Sequence, residues 1–204
     1  MKLNLASPAH PGARLLCGLA AGLAMGLTSV SSAWAQAADT VGVHYQPTVK
    51  VEGVPLTLNG TGVSYRAVAK LYTVGLYVPQ KSSKADVIFS TGGPKELRFV
   101  MLQGMRVDEI GKVITRGIEA NSPRQEFFSL IPSIRTMGEQ FSRIRRLNAN
   151  DTLSVEYVPK RGTVFYVNGQ PAGLPIAVQV ASPPQRDHVA LATLRAIEAG
   201  CRPA

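Results

Sequence analysis

From Thr48 to Val78 the chain keeps to the two-residue period of a β-strand and breaks it only at residues that tolerate a turn. Thr48 to Glu52 alternates valines with polar residues, Gly53 permits a turn, and Val54-Pro55-Leu56-Thr57-Leu58 returns. Asn59-Gly60 then carries the strongest short hairpin signal, because a type I′ turn needs positive φ at both central residues. Thr61 to Ala69 follows as a strand and runs with little break into Lys70 to Val78. A chain patterned in this way is committed to antiparallel sheet.

Further strands follow at Leu97 to Gln103 and at Leu153 to Val158. Lys160-Arg161-Gly162 turns the second of these, and Thr163 to Val167 comes back to another Asn-Gly at Asn168-Gly169. Between the strand groups the period changes to that of a helix. Val107, Ile110, Val113, Ile114 and Ile118 fall on one face, Asp108 and Glu109 occupy the first turn, and Asn121-Ser122-Pro123 stops it. A second helical stretch carries Phe127, Phe128, Ile131, Ile134, Met137, Phe141 and Ile144, with Pro132 expected to break or kink it. Ser182-Pro183-Pro184 precedes a last short helix from Asp187 to Ala199. Strands, then helices, then strands again predict an α+β fold with a curved, mostly antiparallel sheet in one domain, residues 36–204.

Residues 1–35 read as a signal peptide. Lys2 and Arg14 give a positive start, Leu15 to Leu27 an apolar core shorter than a membrane span, and Ala33-Trp34-Ala35 a small-x-small cleavage site. Ala35-Gln36-Ala37 fits the cleavage pattern nearly as well, which would move the cut to residue 37. The expected destination is the periplasm or the exterior. Export leaves Cys201 as the last cysteine and His44 and His188 as the last histidines, so neither an intrachain disulfide nor a Cys/His metal site is expected, and no cofactor. A free thiol near a frayed C-terminus is the expectation for Cys201.

The net charge of +9 becomes +7 when Lys2 and Arg14 leave. The basic residues are spread along the chain except for Arg143-Ile144-Arg145-Arg146, read either as a solvated helix end or as an attraction toward an acidic membrane surface or an anionic ligand. No nucleic-acid partner is expected, and membrane contact is peripheral at most.

Motifs for chemistry are few. Gly60-Thr61-Gly62 opens a strand, lacks a following Lys-Ser or Lys-Thr, and so is no phosphate loop. Asp108, Glu109, Glu119 and Glu126 sit on polar helix faces or starts, and no Gly-x-Ser-x-Gly elbow occurs. What remain are polar groups on strands: Ser64, Arg66, Tyr72 and Tyr77. Ser64 and Arg66 share one face and Val63 and Tyr65 the other, and alternation alone leaves open which pair turns inward.

Gly60-x-Gly62, the run Lys70-x-Tyr72-x-x-Gly75-x-Tyr77, the strand Glu96-Leu97-Arg98-Phe99-Val100, and the helix ending Gly117-Ile118-Glu119-Ala120-Asn121 together resemble the chalcone isomerase-like family, in its bacterial secreted branch. Asp151 to Val158 and the hairpin ending Val167-Asn168-Gly169-Gln170-Pro171 extend the resemblance over most of the exported chain. It implies a large curved antiparallel sheet covered on one side by helices, with an apolar cleft between the layers. The family holds both a plant isomerase of phenolics and non-catalytic fatty-acid-binding proteins.

Aligned to the isomerase, Tyr72 stands at the catalytic threonine, and Ile110, Val113 and Gly117 stand at the catalytic tyrosine, lysine and asparagine. None of these replacements orients or protonates a phenolate, so isomerisation is not expected. Aligned to the fatty-acid binders, Tyr72 matches the tyrosine that helps hold a carboxylate, while Ser64 takes the arginine position and Arg66 follows on the same side of the strand. The resemblance therefore implies a periplasmic, non-catalytic protein that binds an apolar ligand with an acidic head, such as a fatty acid. Arg66, Tyr72 and Ser64 would surround the head, and Phe99, Ile110, Val113 and Ile114 would line the tail. Two other readings stand beside it: a structural or partner-binding envelope protein whose cleft its own side chains fill, and an isomerase or lyase-type enzyme on another substrate.

Overall fold

Turns of the type that demands positive φ set the first strands. The computed structural model describes residues 38–176 and 201–203; the signal-peptide segment and the helix expected from Asp187 to Ala199 lie outside them. Val41-Gly42 (φ 53° and 78°) joins β1 (Ala38–Thr40) to β2 (Val43–Tyr45), and Glu52-Gly53 (φ 49° and 78°) joins β3 (Thr48–Val51) to β4 (Val54–Arg66).

Asn59-Gly60 is no hairpin. Strand β4 runs straight through it, and the chain reverses instead at Ala67-Val68 into β5 (Ala69–Val78). Leu58 pairs with Tyr77 and Gly60 with Leu76, so Asn59 is the extra residue of a β-bulge. Its side-chain oxygen accepts the Ser82 N–H at 2.9 Å, which gives the amide a use other than a turn. The second Asn-Gly behaves as expected: Asn168 and Gly169 take φ 49° and 78° between β10 (Gly162–Val167) and β11 (Gln170–Pro171).

A short helix, α1 (Ala85–Ser90), leads to β6 (Lys95–Met101). Then come α2 (Val107–Asn121) and α3 (Arg124–Ser142), an antiparallel helical pair whose open end is pinned by β7 (Met105–Arg106) pairing with β8 (Arg146–Leu147). Strand β9 (Thr152–Val158) completes the sheet, whose order is β11-β10-β9-β6-β5-β4-β12 with β3 also paired to β4, antiparallel throughout. The last member, β12 (Cys201–Pro203), places Cys201 opposite Ser64. The C-terminal backbone is thus an added strand and not a frayed end.

Pro132 neither breaks nor divides α3, which is one helix of 19 residues. The proline is exposed, so the carbonyl that loses its donor opens to water. Leu130, Met137 and Phe141 turn inward on this helix, while Phe128 and Ile131 stay in solvent, the Arg124 guanidinium lying 5.7 Å from the Phe128 ring. From α2 come Ile110, Ile114 and Ile118, and these meet Leu97, Phe99, Val155 and Phe165 of the sheet in the main core.

The opposite face of the sheet is covered differently. Tyr45, Val51, Leu56, Leu58 and Tyr77 form a second core there, under the β1–β2 and β3–β4 hairpins. The Tyr45 ring lies directly on Gly75, where a Cβ would come within 2.7 Å of it. An ion pair from Arg161 to Glu52 links the β9–β10 turn to the β3–β4 turn.

Candidate functional site

Between the sheet and the helices the expected ligand residues are found, packed on one another. Gly62 and Ser64 stand opposite Val74 and Tyr72, which face the helices, so Ser64 turns inward and is buried. Tyr72 meets Phe99 edge-on at 5.4 Å, and Phe99, Ile110 and Ile114 are 1–2% exposed within the same core. The interlayer space around them is occupied by the chain's own side chains.

Two residues do not join them. Arg66 is on the helix-facing side of β4 but at its very end, where Nη2 bonds Glu109 Oε2 of α2 at 3.2 Å with 64% of its side chain exposed. The charged head-group pair of Arg66 with Tyr72 is therefore not assembled in the interior; at the rim Arg66 keeps its hydration and an acid partner. Val113 is exposed as well, because it precedes Ile114 by ~100° around α2.

A groove opens on the outer side of the helical pair. It encloses ≈ 830 Å³ between α2 and the C-terminal half of α3, within the roughly 300–1,000 Å³ of small-molecule sites. The partly buried Ile134 and Ile144 give it an apolar floor, with the core residues Met137 and Phe141 directly beneath. Glycines keep the walls low: a Cβ on Gly138 would meet nothing within 4 Å, and one on Gly111 would touch Phe141 at 3.3 Å.

The rim of this groove is cationic, with Arg106, Lys112, Arg116 and Arg145 against one carboxylate, Asp108. Asp108 accepts from Arg106 Nε at 2.9 Å and stands 3.6 Å from Lys112 Nζ, and the Arg106 hydrogen bond holds it below the usual carboxylate range. Arg145 is placed at the start of α2 by its carbonyl, which accepts the Val107 N–H at 3.4 Å. Among the described residues neither Arg116 nor Arg145 has an acid partner. The helical pattern places Ile134, Met137, Phe141 and Ile144 on one helix and assigns them no groove. The available signal was the cation spacing Lys112 to Arg116, one helical turn, beside a glycine at 111.

A third polar group lies on the helix-free face. Glu96 of β6 is 1% exposed, and its Oε1 accepts from Arg98 Nε at 2.8 Å and Ser154 Oγ at 2.9 Å. Glu156 is its direct cross-strand partner on β9. Burial first, and the neighbouring Glu96 charge second, push Glu156 up to about 7, with Arg98 opposing. Burial also raises Tyr77 to about 12, and the Arg98 guanidinium lies 5.5 Å from its ring. Among the described residues no three His, Cys, Asp or Glu side chains are grouped to hold a metal ion.

A family model described as chalcone isomerase-like matches residues 37–178. Among solved structures, the crystal structure of a fatty-acid binding protein of Arabidopsis thaliana is similar, with a TM-score of 0.60 at 9% identity over 82% of this chain and 91% of that one. No curated protein sequence matches the chain.

Proposed function

The chain belongs to the chalcone isomerase-like family, and on that premise we propose that it is an exported, non-catalytic binding protein for an apolar ligand with an acidic head group, such as a fatty acid. The α2–α3 groove carries this reading, because it joins an apolar floor to a cationic rim in one cavity. An alkyl tail laid on Ile134 and Ile144 gains about 0.8 kcal/mol for each methylene removed from water. Charge-assisted hydrogen bonds from arginine fix the head. The side chains at the isomerase positions support a binder over an enzyme, since Ile110, Val113 and Gly117 neither donate nor accept a proton. A fatty acid is the first ligand to test because the Arabidopsis protein of the same fold is a fatty-acid binding protein.

Native mass spectrometry of the protein purified from its own host tests the proposal. Co-purifying single-chain amphiphiles, lost from an Arg116→Ala/Arg145→Ala variant, would support it. One observation favours a second reading, a structural or partner-binding envelope protein: Phe99, Ile110 and Ile114 fill the interlayer space. A protein that stays empty, and takes up no added amphiphile, would establish that reading instead.

A further inference from the structure

We propose that the head group recognised by the α2–α3 groove is a phosphomonoester on a single alkyl chain, which rests on the amphiphile-binding reading above and narrows it. The argument is one of charge and valence. Around the start of α2, Asp108 is the one carboxylate lining the groove beside Arg106, Lys112 and Arg145, with Glu109 also near Arg106, and Arg116 stands one turn beyond Lys112. Asp108 is already engaged by Arg106 through both oxygens, at 2.9 and 3.4 Å, and by Lys112 at 3.6 Å. The cations therefore outnumber the anion by three across the rim.

A carboxylate head brings one negative charge on two oxygens. Seated here, it would leave most of the excess cation uncompensated while its tail strips water from the floor, and the field between like charges strengthens as water leaves. A phosphomonoester brings about −1.5 to −2 at neutral pH and three strong acceptor oxygens. Guanidinium forks match those oxygens two at a time, and two guanidinia with no acid partner among the described residues, Arg116 on α2 and Arg145 beside the start of α2, line the groove. The apolar floor then selects against inorganic phosphate, which has nothing to lay on Ile134 and Ile144. The open space at Gly138 suits one chain.

Isothermal titration of the exported chain with dodecyl phosphate, laurate and inorganic phosphate, each below micelle formation, tests this. At pH 8 dodecyl phosphate is expected to bind at least about tenfold tighter than laurate and inorganic phosphate not measurably. The advantage should shrink toward pH 5.5, because the second phosphate pKa is ≈ 6. Arg116→Ala/Arg145→Ala, with its fold checked by circular dichroism, should bring the two amphiphiles within about twofold of each other. Equal affinities, or tighter binding of laurate, would overturn the phosphate assignment and leave the amphiphile reading standing. Failure of the unsubstituted chain to bind either amphiphile would overturn both. Inorganic phosphate bound as tightly as the amphiphile, or association only with anionic phospholipid vesicles, would also overturn the single-chain assignment.

Discussion

Glu96 and Glu156 face each other across the β6–β9 ladder, with Arg98 as the guanidinium bonded to the first of them. Arg98 and Ser154 bond Glu96, so the proton is favoured on Glu156, which burial first and the Glu96 charge second raise to about 7 from 4.5. The folded chain thus holds this proton more tightly than the unfolded chain. The associated stability is fully present below about pH 4.5 and is lost as pH rises through about 7. Glu156→Gln should stabilise the protein at pH 8 by about 1–2 kcal/mol, less than a sealed carboxylate would give because solvent reaches this one, and should be close to neutral at pH 5. Urea unfolding at both pH values checks this; a difference that does not vary with pH would refute the raised Glu156.

Gly75 is required by the Tyr45 ring, which a Cβ would meet at 2.7 Å. Tyr45 cannot give way freely, since its hydroxyl is bonded to Thr73 Oγ1 at 2.8 Å in the buried second core. Gly75→Ala should cost about 1–3 kcal/mol by overpacking, and Gly75→Ala/Tyr45→Leu should recover part of that loss. Denaturant midpoints of the two variants measure it. An unchanged midpoint in the single variant would contradict the packing.

Arg66→Ala should leave amphiphile binding unchanged and lower stability by less than about 1 kcal/mol, the scale of an exposed ion pair such as Arg66–Glu109. Titration with laurate before and after the substitution decides the matter. A tenfold or greater loss of affinity would restore Arg66 to the head-group site.

Much of this fold could be read from residue patterns, and the failures have local causes. The α2 face was readable because Ile110, Ile114 and Ile118 recur every turn, and Val113 was misplaced because a residue at the edge of that stripe is ambiguous. Asn59-Gly60 failed because pairing on both sides, Leu58 with Tyr77 and Gly60 with Leu76, outweighed a local turn preference. The inward face of Ser64 needed the register to Tyr72, which alternation within one strand cannot supply. The groove was the hardest to foresee. Its walls belong to two helices, and Arg145 reaches it only because β7 and β8 close the helical pair.

Export is a separate expectation, resting on Lys2, Arg14, the Leu15 to Leu27 core and Ala33-Trp34-Ala35. N-terminal sequencing of the protein from its host should begin at Gln36, or at Ala38 if the second site is cut. Either product lacks Trp34, so its emission should be that of tyrosine alone. A chain that retains Met1 would contradict it.

Gly138 offers the cleanest separation of groove from fold. A side chain there meets open space, with nothing within 4 Å of its Cβ position, and α3 is a helix at that point. Gly138→Ala should therefore stabilise by up to about 1 kcal/mol, the usual gain over glycine in a helix interior. Gly138→Leu keeps most of that gain but projects a branched side chain beside Ile134 and Met137, where a ligand tail would lie. Binding of dodecyl phosphate or laurate should fall at least about tenfold in the leucine variant while its thermal midpoint stays at or above that of the parent. Weakened binding with a lowered midpoint would point to damaged packing, and undiminished binding with an intact midpoint would place the ligand somewhere other than this groove.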